Sequence, residues 1–260
     1  MNIIVCIKQV PDTTDVKIDP TTNTLIREGV ASVINPFDTY AIEEGVRLKE
    51  KFGGKVIILT MGPPQAQDAL REAISLGADE AVLISDKAFA GSDTWVTSYT
   101  LARGIKKIGQ FDLILCGKQA SDGDTAQVGP GISTHLDIPQ VTYVKKIEEI
   151  NGNKAKVERM VEEGYEIIEV PLPCLMTVVK EINEPRLPSL KGKMKANKAE
   201  IITWTVKDLG LDSAKVGLNG SPTKVVKIFT PPPRIGGQIL KGEPAEVANK
   251  LVKLLKGEII

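Results

Sequence analysis

Four apolar runs, at residues 2–7, 55–60, 80–85 and 111–116, constrain the fold of this chain more than any other feature. Each is six residues long, rich in Ile, Val and Leu, and free of strict polar alternation, which is how a strand buried on both faces reads. Segments of helical period separate them. Asp38 stands as the expected N-cap of a helix with Ala41, Gly45, Leu48 and Phe52 on one face and Glu43, Glu44, Arg47 and Lys51 outside. A second helix runs over 65–76 and stops at Gly77, and Gly91-Ser92-Asp93 opens a third that ends near Ile108. The alternation predicts an α/β fold, a doubly wound and mostly parallel sheet whose ligand crevice lies outside the carboxyl ends of its strands.

The charge balance, 33 Lys and Arg against 33 Asp and Glu, offers no electrostatic ground for nucleic acid or an anionic membrane as partner. Cys6, Cys116 and Cys174 lie in apolar strand-like runs and form no C-x-x-C pair, and the chain has one histidine, so no metal site is expected. Buried reduced thiols, an N-terminus that opens directly on a strand, and no apolar run of membrane-spanning length predict a cytoplasmic chain.

The fourth run feeds into Gly117-Lys118-Gln119-Ala120-Ser121-Asp122-Gly123-Asp124-Thr125-Ala126-Gln127-Val128-Gly129-Pro130, and residues 131–136 then read as a short helix. Strand, glycine-rich loop and helix N-terminus together can hold an anion through backbone N–H groups. Asp124 is the expected N-cap, with Gln127 in the capping-box position, leaving the N–H groups of Thr125, Ala126 and Gln127 facing outward. Gly123 is expected at a left-handed or closely approached position. The stretch matches neither G-x-G-x-x-G nor G-x-x-x-x-G-K-[ST]. Its acids, Asp122 and Asp124, oppose a phosphate unless they cap the helix or bind ribose hydroxyls. Alone it fits a nucleotide cradle and a plain surface turn equally. Two other strand ends, Lys8-Gln9-Val10-Pro11 and Met61-Gly62-Pro63, would line the same crevice, joined by Asn35-Pro36-Phe37-Asp38, and that convergence favours a nucleotide.

Residues 16–19 and 24–27 alternate as a small hairpin. After Pro139 the runs 141–150, 154–161 and 165–170 read as antiparallel strands, and 174–179 returns to a buried one. From Ile182 the chain is Pro-punctuated and basic. Leu187, Leu190 and Met194 there have no evident face to bury, which fits local half-packing or a docking knob. An amphipathic helix over 244–255, built on Val247, Leu251 and Leu254, closes the chain. The expected organisation is a nucleotide-binding α/β domain over 1–200, including the 178–200 segment. A C-terminal arm over 201–260, with a hinge at 231–237, then needs a partner surface. There is no G-x-S-x-G elbow, no H-E-x-x-H and no defensible carboxylate pair, and His135 reads as structural. Chemistry must then come from a bound cofactor.

On Val178-Val179-Lys180-Glu181-Ile182-Asn183-Glu184-Pro185-Arg186 with its basic tail, on Asn35-Pro36-Phe37-Asp38 and on Gly117-Lys118-Gln119-Ala120 through Gln127, the sequence resembles the β (small) subunit of electron transfer flavoproteins, the family that includes FixA. The resemblance spans the chain. It implies an adenine-nucleotide α-hydrolase-like fold and an α subunit that carries FAD and packs on the terminal helix. It also implies nucleotide contacts at Cys6 (through its backbone), Asn35, Pro36, Phe37, Asp38, Met61 and 117–128. Phe37 falls on the position expected near the α-subunit flavin. Residues 182–198 match a recognition loop that docks on a dehydrogenase, with Leu190 on its anchor leucine and Arg186, Leu187 and Met194 beside it.

Members that hold AMP carry a loop tail closer to N-Q-T-G, whereas Asp122–Pro130 here resembles the electron-bifurcating group. That implies FAD in this chain and NADH as electron donor. The two electrons then part, one to a flavin dehydrogenase of acyl-CoA, enoyl-CoA or lactate type and one to ferredoxin or flavodoxin. The alternative within the family is a plain electron carrier with structural AMP. An alternative of another class is a nucleotide-binding regulatory module of universal-stress type, in which the basic loop and Pro-rich arm have no use.

Overall fold

The computed structural model describes residues 1–12, 18–19, 24–25, 32–226, 237 and 239–259. The first half carries β1 (Asn2–Cys6), β2 (Gln9–Pro11), β3 (Ile18–Asp19), β4 (Thr24–Leu25), β5 (Ser32–Ile34), α1 (Pro36–Phe52), β6 (Lys55–Met61), α2 (Gln67–Leu76), β7 (Glu80–Ile84), α3 (Thr94–Ile108) and β8 (Leu113–Gly117). Next come α4 (Val128–Leu136), β9 (Gln140–Asn151), β10 (Lys154–Val161), β11 (Gly164–Pro171), β12 (Cys174–Val178), α5 (Leu190–Lys198), β13 (Ile202–Trp204), α6 (Gly217–Gly220) and α7 (Pro244–Ile259).

Nine strands form one sheet in the order β11-β10-β9-β12-β8-β1-β6-β7-β13. The seven strands from β9 to β13 run parallel, and β10 and β11 extend the β9 edge as an antiparallel meander. Side chains of the central strands alternate between two cores, as a sheet covered on both faces requires. Ile3, Val5, Val56, Ile58, Leu113 and Leu115 pack toward α1 and α2. Ile4, Cys6, Ile57, Leu59, Ile114 and Cys116 pack toward α3 and α4. From β1 the chain builds outward through β6 and β7, then returns to place β8 on the other side of β1. The order therefore reverses between β1 and β8, and a crevice opens beyond their carboxyl ends.

The expected strands and the first three helices are present, and Asp93 does cap α3, accepting from the Val96 N–H at 3.0 Å. β3 and β4 pair as a two-residue hairpin; the rest of the expected hairpin, residues 16–17 and 26–27, lies outside the described residues, as does the expected hinge at 231–236.

Three details differ from expectation. Asp38 is not the cap of α1, because the helix begins two residues earlier at Pro36 and the Asp38 side chain turns inward. Residues 190–198 form a helix, α5, opened by Ser189, whose Oγ accepts from the Gly192 N–H at 2.9 Å. Tertiary contacts hold α5 in place. Arg71 donates to the Ala196 and Ala199 carbonyls at 2.9 and 3.0 Å, and Lys195 to the Ala78 carbonyl at 2.8 Å. A Cβ on Gly192 would stand 2.1 Å from the Ser75 carbonyl oxygen, so α5 lies directly against α2. Finally, β13 joins the sheet beside β7 and the compact unit runs Met1–Val226, beyond the expected boundary at 200. Lys227–Ile260 is a separate unit containing α7, on which Leu251, Val252, Leu254 and Leu255 remain half-exposed. Among the described residues no helix is long and apolar enough to cross a membrane.

Candidate functional site

The crevice is assembled by two side chains at the start of α1. Asp38, only 5% exposed, bridges the ends of the two strands that flank the reversal point. One carboxylate oxygen accepts from the Lys8 N–H just past β1 at 2.7 Å, and the other from the Gly117 N–H at the end of β8 at 3.1 Å. Burial pushes the Asp38 carboxyl up to about 7, against the pull of the Lys8 N–H, the Asn35 side chain and the Gly117 N–H. Asn35, 1% exposed, occupies the N-cap position of α1 but its side chain caps no N–H of that helix. Its amide instead clasps the glycine-rich loop, donating to the Gln119 carbonyl at 2.8 Å and accepting from the Ser121 N–H at 3.0 Å. The Asn35 N–H in turn donates to the Lys8 carbonyl at 2.8 Å. Gly117 lets these pieces touch: a Cβ there would lie 2.3 Å from an Asp38 carboxylate oxygen and 2.7 Å from the Phe37 carbonyl carbon.

The structure thus brings Lys8, Asn35, Pro36, Phe37, Asp38 and Gly117–Asp122 together. Gln9 reaches the third strand end by donating to the Gln65 carbonyl at 3.2 Å, beside Met61 at the end of β6. Cys6 ends β1 in register with Cys116. Both thiols are buried, and the Cys6 hydrogen bond and burial push Cys116 well above the usual thiol range, so they belong to the core.

The loop beyond Gly117 departs from expectation in its details. Asp124 is no N-cap and there is no capping box, because α4 begins only at Val128 and the Gln127 side chain makes no cap bond. The left-handed backbone falls on Asp124 (φ 53°) and Ala126 (φ 53°), while Gly123 does not need it and has open space where a Cβ would be. The left-handed backbone strains Ala126 more than Asp124, since Asp enters that region more readily. Both acids are tied within the protein. Asp122 pairs with the Lys8 ammonium at 2.6 Å, and Asp124 accepts from the Gln119 side-chain amide. Gln127 accepts from the Thr94 hydroxyl at 3.1 Å. The N–H groups of Thr125, Ala126 and Gln127 find no acceptor among the described residues. Lys118 extends toward two aromatic faces, with its ammonium 5.8 Å from the Phe37 ring centre and 5.1 Å from that of Tyr143. Sequence reasoning missed Tyr143, which carries no motif. His135 packs edge-on to Trp95 and Tyr99, a structural setting away from the loop.

The basic segment divides into a root and a tip. Arg186 donates from Nε to Glu43 at 2.8 Å and from Nη1 to Glu50 at 2.6 Å, both on α1. Burial works against the Glu43 carboxylate, but the hydrogen bonds from Arg186 and Arg47 outweigh it and hold its pKa below the usual range. Asn183 donates to the Tyr40 carbonyl and to Glu44, both at 3.0 Å. Leu187, Leu190 and Met194 project beyond this root, 89%, 78% and 56% exposed. Three large apolar side chains on one short stretch are more than scattered surface residues.

The signature of the electron transfer flavoprotein domain matches residues 22–209. The chain is 56% identical over 256 residues to an electron transfer flavoprotein subunit beta of Thermoanaerobacterium thermosaccharolyticum, covering 98% of each. It is 54% identical over 258 residues, again 98% of each, to the caffeyl-CoA reductase-Etf complex subunit CarD of Acetobacterium woodii. Protein FixA of Azorhizobium caulinodans is 47% identical over 241 residues, 90% of this chain and 86% of that protein. A domain match over most of the chain, with relatives of this identity along nearly its whole length, makes it a member of the electron transfer flavoprotein family, in the group of β subunits and FixA.

Proposed function

We propose that this chain is the β subunit of a heterodimeric electron transfer flavoprotein and holds FAD in the crevice between β1 and β8. The observation that carries this reading is the run of N–H groups at Thr125, Ala126 and Gln127 with no acceptor among the described residues, on a loop where the Lys8 ammonium compensates Asp122 and the Gln119 amide hydrogen-bonds Asp124. Such a run suits the pyrophosphate of a dinucleotide. Open space above Gly123 leaves room for close approach. FAD bound there supplies two-electron oxidation of NADH and one-electron delivery onward. The protein's part is to orient it: Asp38 and Asn35 lock the strand ends and the loop, and Met61 is the contact assigned at the end of β6.

With FAD here and on an α subunit, the pair would deliver electrons to a flavin dehydrogenase of acyl-CoA, enoyl-CoA or lactate type and, by bifurcation, to ferredoxin or flavodoxin. The bifurcating reading is supported by the Asp122–Pro130 sequence, which resembles that group rather than the AMP-holding members. The relative that belongs to a caffeyl-CoA reductase–Etf complex supports a reductase or dehydrogenase as partner. Leu187, Leu190 and Met194 form the docking tip for it, and Arg186 anchors the root on α1. The half-exposed apolar face of α7 is assigned to the α subunit, and the compartment to the cytoplasm.

Amide hydrogen exchange of the complex, loaded with FAD and stripped of nucleotide, tests the assignment. The Thr125, Ala126 and Gln127 amides should exchange about tenfold or more slowly when loaded. Equal exchange in both states would remove the nucleotide from this loop.

A further inference from the structure

β9 carries a defect beside the crevice. It takes three residue steps, Val141 to Val144, where its parallel neighbour β12 takes two, Met176 to Val178. The extra residue makes a bulge, and Tyr143 within it has φ 61°. A left-handed aromatic residue in the middle of a strand costs about 1–2 kcal/mol relative to ordinary strand geometry. The surroundings hold it there. The Tyr143 N–H, freed from the ladder, donates to the buried Thr177 hydroxyl at 3.1 Å. On the far side, Arg159 braces the adjacent Thr142 at both its carbonyl and its hydroxyl, each at 3.0 Å. Bulges re-aim side chains, and this one aims a ring at Lys118.

Lys118 directly follows β8 and is tied to the end of β12, its N–H donating to the Val178 carbonyl at 2.8 Å. Its half-buried side chain meets the faces of Phe37 and Tyr143. No carboxylate among the described residues pairs with its ammonium; the nearby loop acids are held by Lys8 and Gln119 instead. Aromatic faces hold a cation without neutralising it. Phe37 lies in the first turn of α1, so the positive end of that helix reinforces the same spot. The result is a positive charge set between two rings, without an ion-pair partner among the described residues, at the carboxyl ends of β8 and β12.

We propose that Tyr143 is a positioning residue for ligand recognition: together with Phe37 it holds the Lys118 ammonium as the anion-recognising group for a phosphate-bearing nucleotide in the crevice. The proposal rests on the nucleotide reading above and adds to it the residue that sets the lysine. The bulge exists to place this ring, and its backbone strain is the cost of doing so.

The test uses the full chain, freed of nucleotide and titrated with FAD and with AMP, alongside Tyr143→Ala, Tyr143→Phe, Tyr143→Gly, Lys118→Met and the double variant Lys118→Met/Tyr143→Ala. Tyr143→Ala should weaken binding about fivefold to tenfold, and Tyr143→Phe should bind within about twofold of the parent. In the Lys118→Met background the Tyr143→Ala change should add nothing, since its effect runs through the lysine. Tyr143→Gly suits the left-handed backbone, so it should melt no lower than the parent and still bind as weakly as Tyr143→Ala. That outcome separates positioning from a merely structural role, for which relief of strain would leave binding intact. Parent-like binding by Tyr143→Ala or Tyr143→Gly, or an undiminished loss in the Lys118→Met background, overturns the proposal alone. A parent chain that binds neither FAD nor AMP overturns the nucleotide reading, and this proposal with it.

Discussion

Replacing Gly117 by Ala should destabilise the chain by about 3 kcal/mol and abolish nucleotide retention. The added Cβ would stand 2.3 Å from an Asp38 carboxylate oxygen, 2.7 Å from the Phe37 carbonyl carbon and 2.8 Å from the Asp38 nitrogen. Two of those three atoms are backbone, so no rotamer change relieves the clash. Neither side can yield. β8 is paired on one flank with β1 and on the other with β12, where Gly117 itself faces Val178. The start of α1 is held by the Asn35 and Asp38 hydrogen bonds. Separating the two elements would break the Asp38–Gly117 bond and leave buried polar groups without partners. Urea denaturation should show a lower midpoint at unchanged slope. Gly123→Ala is the matched control, because nothing lies within 4 Å of the position its Cβ would take. It should fold as the parent does; equal stability of the two variants would mean that Gly117 is not the contact the structure makes it.

Leu190→Ala is expected to do the opposite, leaving the fold intact and disabling the encounter with the dehydrogenase. Leu190 begins α5 and is 78% exposed, so its truncation removes almost no intramolecular contact. Thermal melting should be unchanged within error. Anchor residues at protein interfaces commonly carry more than 1 kcal/mol each, so the affinity of the complex for its dehydrogenase should fall about tenfold or more. The loss should appear in the KM for the flavoprotein as electron donor, with NADH oxidation by the complex unchanged. Arg186→Ala should differ in kind. Arg186 joins the segment to Glu43 and Glu50 on α1, so its truncation loosens the root and leaves the 4%-exposed Glu43 carboxylate with Arg47 as its remaining ion-pair partner, beside the backbone N–H of residue 186. Stability and docking should then fall together. A Leu190→Ala complex with parent-like KM would take the docking role away from this tip.

The frame of the fold was legible because strands buried on both faces have nowhere to place polar residues. Ile3 to Val5, Val56 to Leu59 and Leu113 to Leu115 announce themselves for that reason. The crevice was legible in outline, since strand ends and the reversal of strand order follow from the alternation. Its wiring was not. Asp38 has the composition of a cap, and only the nearness of Lys8 and Gly117, 30 and 79 residues away in sequence, turns it inward. α5 was hidden because its large apolar residues, Leu190 and Met194, face outward and its hold comes from Arg71, Ser75 and Ala78 rather than from a periodic stripe. Tyr143 was beyond reach for a like reason: its left-handed backbone depends on Thr177, contributed by another strand. Local pattern reports which elements form; the hydrogen bonds that aim a functional side chain are mostly long-range.

What fills the crevice between β1 and β8 decides the function of the chain. The most direct measurement is the nucleotide content of the purified complex with its α subunit, by acid release and separation, together with its absorbance after anaerobic NADH. Two FAD per heterodimer, bleached by NADH, is the predicted result and puts a flavin on the 117–128 loop as the NADH-oxidising centre. One FAD with one AMP, and no reaction with NADH, would contradict it and leave a plain electron carrier.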